Sequence, residues 1–174
     1  MSTTNNYFSL FGLPQVFDIN LNELRQQYRN LQIEFHPDKV AAGSAVEKRK
    51  AVEQSALFND AYQVLTSPVE RAKHLFQLCS GHIAKEHNLA SSPEFLMLQI
   101  DAREQLEDFK AAPPSEDEFD TFVDQYEESL AEEISAFTTC LNASDYEGAE
   151  VLIAKIQLFT KLLSEAQDIE QAID

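Results

Sequence analysis

The stretch "LQIEFHPDKVAAGS" sets His36, Pro37, Asp38 and Lys39 side by side, directly after an apolar-patterned run. An imidazole beside a carboxylate is raw material for a catalytic dyad or half a metal site. A dyad needs the carboxylate on the far ring nitrogen and a nucleophile on the near one, and no nucleophile stands close in sequence. A metal site needs three or four ligands, and His36 with Asp38 supplies two. Pro37 fixes the backbone and Asp38 is suited to bond the amides after it, so on chemistry alone the segment reads as a turn between helices. A second group, Cys79, His82 and His87 with His74 upstream, has irregular spacing and no further Cys or acid converging on it. No metal is expected there; Cys79 and Cys140 read as small apolar residues near helix ends. Gly-rich phosphate loops and nucleophile elbows are also missing from the sequence, so it does not read as an enzyme.

The elements around His36-Pro37-Asp38 are helical. "NYFSLFGLP" predicts one or two turns, stopped by Gly12 and Pro14. Asn20 followed by Glu23 predicts a capping box, and Leu21, Leu24, Tyr28, Leu31 and Phe35 then mark one helix face. Pro37 disfavours helical geometry at His36, so this helix should end near Phe35. A loop leads to a long helix over about 45–65, followed by a short one opened by Ser67-Pro68. "CSGHIAKEHNLASS" lacks periodicity and reads as a linker over 79–92. Three more helices are predicted: Ser92-Pro93 to about Lys110, Ser115-x-x-Glu118 to about Asn142, and Ser144-x-x-Glu147 to near Ile173. Short connections make these an up-down-up bundle over 93–174.

With 44% apolar residues, 12 Phe and no Trp, the 174-residue chain has material for a real core. Its formal net charge of −17 is uneven: residues 1–78 carry 8 acids and 8 Lys+Arg, residues 79–174 carry 22 acids and 5 Lys+Arg. An acidic half is repelled by phosphate backbones and anionic bilayers, which argues against nucleic-acid and membrane partners. No apolar run approaches the ~20 residues of a membrane span, and the start "MSTTNNYFSLFGLPQVF" lacks signal-peptide patterning. With two cysteines there is no disulfide framework. A reducing, cytoplasmic setting is the expectation.

A short apolar helix, an amphipathic helix ending in His-Pro-Asp-Lys, a loop and a long antiparallel helix together resemble a J-domain over 1–78. The resemblance implies that His36, Pro37 and Asp38 contact an ATP-bound chaperone of the seventy-kilodalton heat-shock class, assisted by Arg25, Arg29 and Lys39. The chain departs from generic J-domains at Gln26, Gln27, Gln32, Ile33 and Glu34, where more lysines are usual, which points to a dedicated partner. "SPVERAKHLFQL", "SPEFLMLQIDAREQLED" and the acidic helical tail extend the likeness over nearly the whole chain, to the HscB-type iron–sulfur co-chaperone family.

That family resemblance implies an L-shaped, all-α protein in which the J-domain stimulates the ATPase of an HscA-type chaperone. The tail would bring an IscU-type cluster scaffold to that chaperone, and no resident cofactor is implied. The first tail helix also speaks for itself. Phe95, Leu98, Ala102, Leu106 and Phe109 form an inward stripe, with Leu96, Met97, Ile100, Asp101 and Glu104 on a neighbouring face. An apolar shoulder margined by acids fits either a wide core or a partner site. The resemblance favours the partner site and places scaffold-binding residues at Leu96, Met97, Ile100, Asp101, Glu104 and Asp108, with Leu158 on the last helix. Phe159 is the alternative on that helix, but it belongs to the stripe Leu152, Ile156, Phe159, Leu163, so Leu158 is expected to be the exposed one.

Overall fold

The computed structural model describes residues 5–35, 44–87, 89 and 92–173. Among these are seven α-helices and no strand. The chain divides into two compact units, Met1–Leu78 and Cys79–Asp174.

The first unit holds α1 (Tyr7–Leu10), α2 (Leu21–Glu34) and α3 (Ala45–Thr66), and most of α4 (Pro68–Ser80). Asn20 Oδ1 accepts from the amides of Asn22 and Glu23 at 3.0 and 3.2 Å and so opens α2. Ser44 and Glu47 form a full capping box at the head of α3, a start signal that the reading of the sequence does not include. Ser67 Oγ accepts from the Glu70 amide at 3.3 Å, with Pro68 at the first position of α4. Apolar residues at helical spacing then close a core of Phe8, Leu24, Phe58, Ala61, Leu65, Ala72 and Phe76. α2 is tied to α3 by stacked Tyr28 and Tyr62 rings and by hydrogen bonds from Tyr28 and Gln32 to Asn59. Two polar groups are buried here. Arg71 lays its guanidinium 4.7 Å from the Phe17 ring centre. His74 stacks on Tyr7 at 4.5 Å and accepts the Tyr7 amide on Nε2 at 3.2 Å, joining α1 to α4. Burial holds its pKa below the ordinary imidazole value. α4 continues two residues past Leu78, into the segment expected to be linker, and ends at Gly81, whose φ of +79° suits a helix-terminating glycine.

The second unit is a bundle of α5 (Pro93–Ala111), α6 (Glu116–Asn142) and α7 (Tyr146–Ile173). Pro93 opens α5 at its first position, and Ser92, which stands at the N-cap, makes no side-chain cap bond. The run Pro113-Pro114 follows its end, as the bias of pre-proline residues against helix requires. Ser115 and Glu118 form the expected capping box of α6. The junction to α7 differs from the sequence reading. Ser144 does not cap α7; it stands at φ +58° and ends α6. Its amide bonds Leu141 O at 3.1 Å and the Asp145 amide bonds Cys140 O at 2.9 Å, the paired bonds of a Schellman motif. Asp145 is the cap of α7 instead, accepting from the Gly148 amide at 3.0 Å. A Cβ at residue 148 would collide with that carboxylate, so the cap requires the glycine.

α7 is the middle helix, packed on both α5 and α6. One core cluster runs through Ala102 and Leu106 of α5, Phe119, Phe122 and Tyr126 of α6, and Leu158, Phe159, Leu162, Ala166 and Ile169 of α7. Lys155 fastens all three helices, with Nζ 3.1 Å from Glu133 and 4.8 Å from the Phe95 ring centre.

Candidate partner interfaces

α5 separates core from surface as its spacing demands. Ala102 and Leu106 are buried, and Phe95, Leu98 and Phe109 pack against them. The neighbouring face is open: Leu96, Met97 and Ile100 are among the exposed large apolar residues, Met97 at 57%. Leu96, Ile100, Glu104 and Asp108 recur every four residues, and Met97 and Asp101 make a parallel row. All three acids are exposed. The result is a ladder, apolar over the first half of the helix and anionic over the second. Asp101 stands at its inner edge; the Tyr126 phenol is pushed up first by burial and then by this carboxylate. The alternative, that the shoulder is wide core within the bundle, is excluded by its exposure. A pair between Arg103 and Glu107 is allowed by their spacing; Glu107 instead takes the Lys110 ammonium at 2.7 Å.

Leu158 corrects the sequence reading. It is 8% exposed and belongs to the core cluster with Ala102 and Leu106. The reason is the central position of α7. A helix covered on two sides needs a wider apolar face than one stripe: Phe159 meets the Tyr126 ring of α6 at 6.1 Å, and Leu158 lies beside it in the cluster that α5, α6 and α7 share. A single-stripe reading assigns one of the two to solvent.

On the first unit, Arg25 and Arg29 are exposed on α2, and Arg25 donates weakly to Asn22 Oδ1 at 3.4 Å. His36, Pro37, Asp38 and Lys39 lie outside the described residues. Ile33, one turn beyond Arg29, is 64% exposed, which its place in the sequence does not announce.

The His74, Cys79, His82 and His87 group separates. His74 is bound to α1, and Cys79 is an exposed thiol whose carbonyl accepts from the Tyr146 hydroxyl at 3.0 Å. His82 and His87 turn to a residue that sequence reading misses, the buried Glu150 of α7. Their Nε2 atoms stand 3.7 and 3.5 Å from its two carboxylate oxygens, and the Lys85 amide donates to it at 3.1 Å. Burial alone would push this carboxyl up; the Lys85 amide, the His87 ring, the Lys85 ammonium and His82 together outweigh it and hold the pKa below the ordinary value. The arrangement pins segment 82–87 to the bundle. Among the described residues, no group of three or more His, Cys, Asp or Glu is set to hold a metal. Nor is any described helix long and apolar enough to cross a membrane.

Two family models match the chain in tandem. Residues 6–74 match the DnaJ domain and residues 91–167 match the HSCB C-terminal oligomerisation domain. The class is therefore a J-domain co-chaperone with its own helical tail. The co-chaperone protein HscB homolog of Vibrio atlanticus is 34% identical over 97% of this chain and 98% of its own length. That of Photobacterium profundum is 34% identical over 95% and 97%. Chaperone HscB from Vibrio cholerae superimposes with a TM-score of 0.83 at 35% identity, covering 98% of this chain and all of that one. The chain belongs to the HscB co-chaperone family.

Proposed function

We propose that the chain delivers an iron–sulfur cluster scaffold of the IscU type to a dedicated heat-shock-70-class chaperone of the HscA type. The first unit engages the chaperone through His36, Pro37, Asp38 and Lys39, with Arg25 and Arg29 beside them, and promotes its ATP hydrolysis. The bundle holds the scaffold on α5, through Leu96, Met97 and Ile100 with Asp101, Glu104 and Asp108 as an anionic margin. Leu158 takes a positioning role, supporting α5 from beneath. ATP turnover belongs to the chaperone, the cluster is cargo, and the chain works as an adaptor in the cytoplasm.

The observation that carries this reading is the open ladder on α5. Its inner face is fully used by the bundle, so Leu96, Met97 and Ile100 stay in water at a cost that a partner would remove. The acids ask for a basic partner, and the flexible thioether of Met97 suits an adaptable contact. Calorimetric titration with an IscU-type scaffold, beside a permanently unfolded control protein, tests it. Saturable one-to-one binding to the scaffold alone is the expected result. Binding to the unfolded control instead would make the tail a general client-holding surface.

A further inference from the structure

Two packed antiparallel helices leave a groove on each side, and α5 fills only one of those made by α6 and α7. α7 turns Glu165, Ile169 and Ala172 towards the end of α5, where they share a cavity with Phe109 and Lys110. Its nearly opposite face carries Thr160, Leu163, Gln167 and Glu170, at steps of three and four. There they border an open groove of about 380 Å³ with Val123, Glu127 and Leu130 of α6. Val123, Leu130 and Leu163 are partly buried and packed on the core cluster, so the groove has an apolar floor.

Thr160 is unlike the other hydroxyl residues of the pair. Thr121, Ser129, Thr138 and Thr139 of α6 each return their hydroxyl to the carbonyl four residues back, at 2.6 to 3.0 Å. Thr160 Oγ1 is withdrawn from solvent and, among the described residues, meets no partner. An unmet hydrogen bond therefore stands in the groove wall.

The rim is anionic. Glu116, Asp120, Asp124 and Glu127 follow one another along α6 at steps of four, four and three, all exposed. Glu116 sits in the first turn, where the macrodipole favours it; the other three lie beyond that turn and repel at this spacing. Glu116–Asn142 contains no Lys or Arg. The two cations of α7 are engaged elsewhere, Lys155 with Glu133 at 3.1 Å and Lys161 with Glu165 at 3.8 Å. Among the described residues, no ion pair reaches Asp120, Asp124, Glu127 or Glu170.

We propose that the α6–α7 groove is a second docking site of the bundle, separate from the α5 ladder, for a basic amphipathic helix of a partner protein. The helix lays aliphatic side chains on Val123, Leu130 and Leu163 and sets Lys or Arg against the acid row, which is about 16 Å, or three turns, long. Charge selects this occupant. A second copy of the chain would set the same acids face to face, and like charges across an interface repel.

The test is calorimetric titration of the full chain with a helix-forming peptide of about 14 residues built from Lys, Leu and Ala. Its leucines lie on one face and its lysines along one edge; a scrambled peptide of the same composition is the comparison. Saturable one-to-one binding is expected, at least about tenfold weaker for the scrambled peptide. Asp120→Lys with Glu127→Lys should weaken it about tenfold at low salt and less at high salt. Glu128→Lys with Glu132→Lys, the same charge change further round α6, should alter it less than about twofold. Leu163→Gln should weaken it about fivefold at both salts. Amide shifts of the unmodified chain, which need no variant to fold, should move with the peptide around Val123, Leu130 and Leu163. Equal binding of the two peptides, or equal effects of the two double reversals, would reduce the groove to general charge attraction and overturn the site. Shifts confined to Leu96, Met97 and Ile100 would overturn it too and leave the scaffold reading standing. Sedimentation showing self-association that Leu163→Gln abolishes would give the groove to a second copy and overturn the basic-helix occupant.

Discussion

α2–α3 and α5 solve the same packing problem and leave opposite surfaces behind. Each helix buries one stripe: Leu24, Phe58, Ala61 and Leu65 in the first unit, Ala102 and Leu106 in the second. Outside those stripes the first unit presents cations with scattered β-branched residues, and α5 presents Leu96, Met97 and Ile100 with acids. The true helix ends follow the macrodipole in both, with Glu47 in the first turn of α3 and Lys110 in the last turn of α5, so the exposed charges of these faces lie along the helices rather than at their ends. The contrast follows the charge asymmetry of the chain: the first unit balances its acids with cations, while the acidic second unit sets apolar residues among its acids.

The sharpest division within the bundle is between Leu158 and the exposed ladder above it. Leu158→Ala should cost about 3–5 kcal/mol of bundle stability, because it empties a buried site. A denaturant melt checks this; a loss under about 1 kcal/mol would return Leu158 to the surface. Leu96→Ala with Met97→Ala should leave the melt nearly unchanged and remove about 2–4 kcal/mol of scaffold affinity. Full affinity in a well-folded double variant would make the shoulder incidental.

Acid should separate the two units. His74 is held neutral in the fold, so its folded pKa lies below its unfolded one, and the Tyr7 amide and the Tyr7 and Phe8 rings face it. Its contribution is complete above about pH 6.5 and is lost as pH falls towards the folded value. Glu150 is also depressed, among Lys85, His82 and His87, but its contribution is complete above about pH 4.5 and is lost only below that. Hydrogen exchange should therefore quicken in α1 and α4 at a pH where the start of α7 is still protected. Simultaneous loss in both regions would show that neither group governs its own unit. The smallest effect expected is at the turn: Ser144→Gly relieves a left-handed serine and should add about 0.5–1 kcal/mol to the bundle.

Much of the fold is legible in the sequence because local chemistry decides it. Asn20, Ser115 with Glu118, and Pro93 mark helix starts without reference to the rest of the chain. Three-and-four spacing by itself separates the inner stripe of α5 from its shoulder. Misreadings fall where a neighbour decides. Leu158 is buried because α7 is covered twice, which one stripe does not reveal. Ser144 terminates one helix where its spelling suggests the cap of the next, since Asp145 and Gly148 make the better cap. Glu150 is a buried acid that periodicity assigns to no role, because its partners come from segment 82–87, far away in sequence.

The central claim is that chaperone activation and scaffold binding occupy separate surfaces of one chain. It is tested most directly by crossing His36→Gln with Leu96→Ala/Met97→Ala and measuring both activities on each variant. The account predicts that His36→Gln abolishes stimulation of the chaperone ATPase with scaffold affinity intact. The α5 variant should lose scaffold affinity and still stimulate the chaperone when no scaffold is present. If either variant lost both activities together while remaining folded, the two surfaces would not be separate.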